Sequence, residues 1–487
     1  MSLTSALGIA QRSLLNTARQ TSVVSQNITN AQNPDYSRRS ALLVSTAPGA
    51  SVVSIQRATS TALFKSNLAA LSSYTAQTTL INGLDNLALQ VNGADNARSA
   101  STLIGKFQEA LQSYATTPSS ENLAENAVEA ARQLAKALND GSTAIQSYRS
   151  QTDQDISSAV SELNDLLSQF ERANREVIQA TQTGADGSDA LDQRDALLKQ
   201  ISELVPISTS TRAGNDMMIT TTSGITLFET VPRNVSFEPI QAYSATTDGN
   251  AIYIDGVPLS AGTGANTTAA GSLAAMVQMR DQVTVTMQDQ LDEIARGLIS
   301  SMAETDATGS GLPALAGLFT WSGGPALPAD GVISPGLAGD IRINPAIDST
   351  AGGDVTLLRD GGINGPDYVA NATGSASFSD LVYIYSERLD APIAFDPTAG
   401  IDLNASVTSF ASSAISWLEL GRQQATSAAE VRNAQLIRTS EALSNETGVN
   451  IDQEMALLLD LEHSYQASAR LIQAVDEMLS SLMAAVR

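Results

Sequence analysis

Apolar residues recur at alternating steps of three and four from the start of the chain: Leu3, Leu7, Ala10, Leu14, Thr17, Thr21, Val24 and Ile28 share one stripe of a helix. Asn33-Pro34 halts the pattern. Proline lacks an N–H and disfavours helical geometry in the residue before it, so the spacing predicts a helix ending within Asn27 to Asn33. At the far end, Ile451, Leu458, Tyr465, Ile472, Leu479 and Val486 form a strict heptad, and Leu461, Val475 and Leu482 fill most of the intervening d positions. Chain ends usually fray and seldom carry the best helical pattern. Two such stripes at the two extremes therefore read as halves of one element, each seeking a partner helix.

Between them the pattern changes several times. Residues 41 to 55 are apolar or β-branched around Pro48-Gly49, which predicts a short hairpin or an extended linker. Helices follow, marked by Leu63 to Leu87, by Leu103 to Tyr114, and by Leu123 to Leu138 with Ser119 or Ser120 as cap. Asp140-Gly141 is expected to end or kink the last of these. A long helix from Ile145 to about Gly184 and another over Leu191 to Leu204 complete the run. From Pro206 to Leu259, Thr, Ile, Val, Phe and Tyr alternate with turn signals at Ala213-Gly214-Asn215, Ser223-Gly224, Asp248-Gly249 and Asp255-Gly256, which predicts strands. Helix returns from Leu273 to Met302. Residues 308 to 400 are rich in Gly, Pro and Asp, with β-like runs at Asp340–Ile343 and Leu381–Tyr385. After Pro397 no proline interrupts two further long helices, joined near Thr447-Gly448.

The expected class is thus α+β: mainly long α-helices, both termini forming a paired coiled-coil-like region, with β-rich subdomains inserted. We divide the chain into a terminal assembly region (1–40 and 446–487), a helix-rich core (41–204, 272–307 and 398–445), a β-rich subdomain (205–271) and an irregular insert (308–397). Inserts between paired helices require the flanking helices to meet, so the chain should fold back on itself with its inserts projecting.

The length of 487 residues suits about three domains at roughly 150 residues each. A net charge of −24 with scattered Lys and Arg gives no basic face, which argues against a nucleic-acid partner. Absence of cysteine removes disulfides and thiolate chemistry. No apolar run approaches the roughly 20 residues of a membrane span, and the opening residues are too polar for a secretory h-region, so export would proceed without a cleaved signal peptide.

Catalytic candidates are sparse. His463 is the lone histidine, off the heptad seam, and is expected to be a solvated surface residue. Asp153 with Asp155, or Asp380 with Glu387, could in principle act as an acid/base pair on glycans, but in so acidic a chain they read as solvated faces. Gly262-Thr263-Gly264 lacks the remaining elements of a dinucleotide loop, and the Asp-Gly pairs lack a calcium loop, so no cofactor or metal is expected. The sequons Asn27-Ile28-Thr29 and Asn371-Ala372-Thr373 carry no weight without a secretory context. In Leu191-Asp192-Gln193-Arg194-Asp195 the carboxylates sit near a helix start, where they favour its dipole, and Arg194 can pair locally or reach another helix.

The segment Val24 to Arg38, VSQNITNAQNPDYSR, resembles the N-terminal signature of bacterial flagellar axial proteins. Val449 to Leu482 looks like the matching C-terminal signature, through Glu454-Met455, Tyr465-Gln466-Ala467-Ser468-Ala469-Arg470 and Asp476-Glu477-Met478-Leu479. The helical stretch from about 58 to 204 and the Leu191–Asp195 motif are similar to the hook-filament junction members of that family. Asp35 departs from the family's usual glycine; if φ > 0 is needed there, aspartate tolerates it.

The resemblance implies a structural, non-enzymatic component of the extracellular flagellum, joining hook to filament. Its expected partners are copies of itself in a ring, the hook protein, the second hook-filament junction protein and a flagellar export chaperone, with neither nucleic acid nor membrane. The assembly surface expected from the stripes comprises Leu3, Leu7, Leu14, Val24, Ile28, Ile451, Leu458, Tyr465, Ile472, Leu479 and Leu482. Leu458, Tyr465 and Ile472 are the candidates for chaperone binding. Hook protein, second junction protein and, remotely, a cell-wall glycan hydrolase remain the alternatives.

Overall fold

The computed structural model describes residues 3–46 and 49–485, so Val486 and Pro48 lie outside the described residues. Helix α1 (Leu3–Thr29) stops where Pro34 approaches, and its polypeptide leaves through turns closed by the Asn30 and Asn33 carbonyls. Strands β1 (Arg39–Thr46) and β2 (Gly49–Arg57) form an antiparallel ribbon with Arg39 opposite Arg57 and a bulge between Leu42 and Leu43.

Helix α2 (Thr61–Leu87) widens into a π-turn over Ala88–Asn92 before α3 (Ala100–Thr116). Helix α4 runs unbroken for 63 residues from Glu121 to Thr183, with the Ser120 hydroxyl accepting the Leu123 N–H at its start and Gly184 in the left-handed region at its end. The break expected at Asp140-Gly141 does not occur. A Cβ at Gly141 would lie 3.1 Å from Leu291 Cδ1 and 3.5 Å from Val91 Cγ1, so glycine is there for close packing against two neighbours. Glycine disfavours a helix interior by only about 1 kcal/mol, which burial of the surrounding Leu138, Ile145 and Ala135 easily offsets.

Helix α5 (Ser188–Leu204) leads into two small antiparallel sheets. The first joins β3 (Ile207–Thr211), β4 (Met217–Thr221) and β5 (Thr226–Phe228); the second joins β6 (Val235–Ser236), β7 (Tyr253–Ile254) and β8 (Val257–Pro258). Asp255-Gly256, both at positive φ, makes the tight turn between the last two strands. Helix α6 (Ser272–Gln278) continues through a π-turn, Met279–Val283, into α7 (Thr284–Ser301).

The next segment is built from short pieces: β9 (Phe319–Thr320), α8 (Leu337–Asp340), β10 (Arg342–Ile343) paired with β9, α9 (Leu357–Asp360), α10 (Asp380–Asp390), and β11 (Ile393–Ala394) paired with β12 (Asn404–Ala405). The β-like run Leu381–Tyr385 is helical. Its buried positions, Val382, Tyr385 and Leu389, follow a helical spacing, so packing overrides the β preference of Val, Ile and Tyr. Finally α11 (Val407–Thr447) lies along α2, and α12 (Ile451–Ala485) turns back after Gly448 to pack on α1.

Two apolar cores share α4 as a spine. Phe107, Leu134, Leu138, Ile145, Leu291, Phe319 and Phe410 belong to one; Ile156, Leu163, Phe170, Ile201, Ile219 and Ile254 belong to the other. At the waist between them Asp153, expected on a solvated face, is fully buried. It accepts Arg280 Nη1 at 2.6 Å, the Tyr243 hydroxyl at 2.8 Å and the Ile240 N–H at 2.5 Å. A buried carboxylate needs a cation and donors of this kind. Asp380 and Glu387 are exposed.

Candidate functional site

The terminal helices and the joint that ties them to the rest of the chain are where the two terminal signatures meet. Helices α1 and α12 pack antiparallel: the Ser13 and Ser468 hydroxyls are 2.9 Å apart, and fourteen residues further along α1 Asn27 reaches back to Glu454. On α12 the column facing α1 is the d column, Glu454, Leu461, Ser468 and Val475, each buried. The a column, read from periodicity as one seam together with d, flanks it: Leu458, Ile472 and Leu479 are half-buried, while Ile451 and Tyr465 are each 46% exposed. Leu482 is 55% exposed. On α1, Ala10, Thr17 and Val24 are buried and Leu3, Leu7, Leu14 and Ile28 are half-buried. Of the residues named for the assembly surface, Val24 is the buried one.

A second apolar flank emerges on the other side of the d column. Leu457, Leu471 and Met478, in the g column, are 44, 47 and 50% exposed. On a heptad wheel a and g border d, so α12 presents apolar side chains on both sides of its contact with α1.

At the base of the pair, Asn27 satisfies its whole side-chain amide. Its Nδ2 donates to the Arg39 carbonyl at 2.9 Å and to Glu454 Oε2 at 3.0 Å; its Oδ1 accepts from the Tyr36 hydroxyl at 2.8 Å and the Arg39 N–H at 3.0 Å. Burial raises the Tyr36 phenol above its usual range, with Arg39 opposing, so it remains a donor at neutral pH. One side chain therefore ties α1, α12 and the start of β1 together. The N–H of Arg38 adds a bond to the Thr447 carbonyl, at the end of α11, at 2.8 Å.

The joint continues through ions. Arg39 donates to Asp189 at 2.6 Å and Asp192 at 2.9 Å, and Arg57, its neighbour across the ribbon, donates to Asp192 and Asp195, each at 2.6 Å. The carboxylates at the start of α5 thus hold the two arginines at the base of the ribbon. Arg194 turns the other way, to Asn174 Oδ1 and the Asn215 carbonyl. Asp35 is not at positive φ; its carboxylate takes Lys199 at 2.8 Å. Asn33–Ser37, Gln56–Thr61, Lys199 and the end of α11 border an open cleft of about 840 Å³ beside this joint.

The roles of Asn27, Arg39 and Arg57 are not readable from the sequence. The one local signal is polar residues interrupting an apolar seam, Glu454 and Ser468 at d positions beside Leu461 and Val475. His463 is exposed, and the described residues contain no group of three or more His, Cys, Asp or Glu placed to hold a metal. No described helix is long and apolar enough to cross a membrane.

Comparison with known proteins adds a second line. The family described as the flagellar hook-associated protein FlgK helical domain matches residues 88–318, and the flagellar basal body rod FlgEFG protein C-terminal family matches residues 439–485. The chain is 21% identical over 408 residues to flagellar hook-associated protein 1 of Bacillus subtilis, an alignment covering 78% of this chain and 75% of that protein. It is 29% identical over 228 residues to the protein of the same name from Salmonella typhimurium, covering 44% of this chain and 40% of that one. The flagellar hook junction protein FlgK from Burkholderia pseudomallei aligns with 53% of this chain and 47% of its own at 19% identity and a TM-score of 0.42.

Proposed function

We infer that this chain belongs to the flagellar hook-associated proteins and is a structural subunit of the junction between hook and filament. The sequence supports the family at both a middle helical region and the C-terminal helix, residues 88–318 and 439–485. The observation that carries the mechanism is the exposure of α12 on both sides of its intramolecular contact. A helix that has already found one partner, yet keeps Tyr465 and Ile451 on one flank and Leu457, Leu471 and Met478 on the other, is built to take further helices. Neighbouring copies of the same α1–α12 pair supply them, and closed repetition of one interface gives a ring.

In this reading the ring stands outside the cell between hook protein and the second junction protein, and the helical core and inserts surround it. The apolar flanks of an unassembled subunit need cover, which an export chaperone provides at Leu458, Tyr465 and Ile472 by a helix-in-groove mode. The role is scaffolding, without catalysis. The match of residues 88–318 to a hook-associated protein helical domain favours this reading over the alternatives, hook protein or second junction protein.

A deletion strain examined by electron microscopy tests the function. Hooks without filaments, restored by the full chain, are expected; normal filaments in the deletion strain would end the proposal.

A further inference from the structure

Arg39, Arg149, Arg194, Arg280, Arg296 and Arg359 are buried among the described residues. A guanidinium taken out of water needs an anion, or acceptors for the N–H groups it carries. Four of the six face carboxylates: Arg39 those of Asp189 and Asp192, Arg280 those of Asp153 and Asp281, Arg296 those of Glu293 and Asp330, and Arg359 that of Asp360. Arg149 has no carboxylate, but its three nitrogens all donate, to the carbonyls of Arg280, Ser244 and Thr247. Arg194 is served by neither. Both of its bonds leave from Nη1, to Asn174 Oδ1 at 3.2 Å and the Asn215 carbonyl at 2.8 Å, and its buried Nε has no partner. Arg39, Arg132, Arg212 and Arg233 also leave Nε unbonded, yet each of them pairs with a carboxylate.

Arg194 lies on the wall of the open cleft of about 840 Å³ beside the terminal joint. The charged side chains bordering that cleft are Arg57, Arg194 and Lys199 against Asp35 and Asp195. Lys199 pairs with Asp35 at 2.8 Å and Arg57 with Asp195 at 2.6 Å, which leaves the Arg194 charge over. Asp189, in the adjoining cluster, has its side chain 94% exposed and is screened by water. Burial holds the Arg194 guanidinium below its usual range, with Asp195 opposing that shift and Arg57 adding to it.

We propose that this cleft receives an acidic segment of an adjoining copy of the chain, one of whose carboxylates sits on Arg194. A carboxylate there supplies the missing counter-charge through charge-assisted hydrogen bonds, which are stronger than the neutral ones Arg194 now makes. The space is far larger than a small anion fills, so it suits a stretch of polypeptide. With 51 acidic residues against 27 Lys and Arg, every copy presents carboxylates to its neighbours. Gly448 and Val449, just before α12, form part of the wall, and Ile451 lies exposed on the turn that follows. The choice of occupant rests on the reading that copies of this chain pack along α12, because a neighbour laid on that flank adjoins the cleft.

Acetate reads the site in the isolated full chain, where no neighbour is needed. Titrated against chloride at equal ionic strength, it should shift the amide resonances of the cleft residues saturably, and bind roughly tenfold more weakly to Arg194→Gln than to the native chain. No saturable shift, or equal affinity in the two proteins, would overturn the site. Should Arg194→Gln fail to fold, native crystals soaked in acetate decide: a carboxylate bonded to Arg194 supports the site and an empty cleft removes it. Carbodiimide, which joins an amine to a carboxylate touching it, identifies the occupant in hook-filament preparations. A covalent dimer of the chain that disappears in Lys199→Arg is expected, since Lys199 borders the same cleft. A Lys199-dependent link to a different protein, or no such link, would rule out a second copy as the occupant. Normal filaments in the deletion strain would remove the assembly reading alone and leave the acetate result standing.

Discussion

Asn27 fixes the register of the terminal pair because it uses every donor and acceptor it has, and one of its partners is a carboxylate buried to 4% exposure. Asn27→Ala leaves Glu454 without that donor and the Arg39 N–H and Tyr36 hydroxyl without their acceptor. Stranding buried polar groups costs about 1–3 kcal/mol each, more for charged ones, and part is recovered by water at this edge of the fold. We expect the α1–α12 pair to open more easily by about 2–4 kcal/mol, read as lost hydrogen-exchange protection confined to those two helices. Ser13→Ala, which removes one half-exposed hydroxyl contact, should cost no more than about 1 kcal/mol. Equal effects from the two substitutions would show that Asn27 is not the anchor. Heptad periodicity locates such a seam but not its polar contacts: Glu454 and Ser468 break the apolar column visibly, whereas nothing local in the sequence ties Asn27 to a residue more than four hundred positions away.

At the scale of elements, the long helices are legible because repeated apolar spacing and caps such as Ser120 belong to the local sequence. Sequence and structure part where tertiary packing decides. Gly141 resembles a stop signal, yet it lies where α7 and the π-turn after α2 press closest on α4. Residues 381–385 carry β-favouring side chains but bury one helical face against the core. The paired terminal helices are legible as seams, whereas the docking of Arg39 and Arg57 on α5 needs the fold to bring the ribbon there.

A contrast between two helix glycines tests the packing account. Gly141→Val should lower stability by about 1–3 kcal/mol, since Leu291 and Val91 must yield. A methyl group added at Gly105 would meet nothing within 4 Å, so Gly105→Ala should gain about 0.5–1 kcal/mol through a stiffer unfolded chain. Thermal denaturation of the full chain should shift in opposite directions for the two; a neutral Gly141→Val would remove the close-packing explanation for that residue.

For the molecule as a whole, the division of α12 into an inner column and two outer flanks separates folding from assembly. Leu461→Asp places a charge in the buried column against α1 and should unpair the terminal helices in the isolated subunit. Tyr465→Asp and Leu471→Asp change side chains that are already 46 and 47% exposed, so the isolated subunit should keep its helix content and melting behaviour. If the flanks are where neighbouring copies pack, these two variants nevertheless bury a charge on assembly and should fail to complement a deletion strain, leaving bare hooks in micrographs. Full complementation by the double variant would place the inter-subunit surface elsewhere. Loss of helix content in Tyr465→Asp alone would instead mean that the a flank already serves the intramolecular pair, and that only the g flank is left to join one subunit to the next.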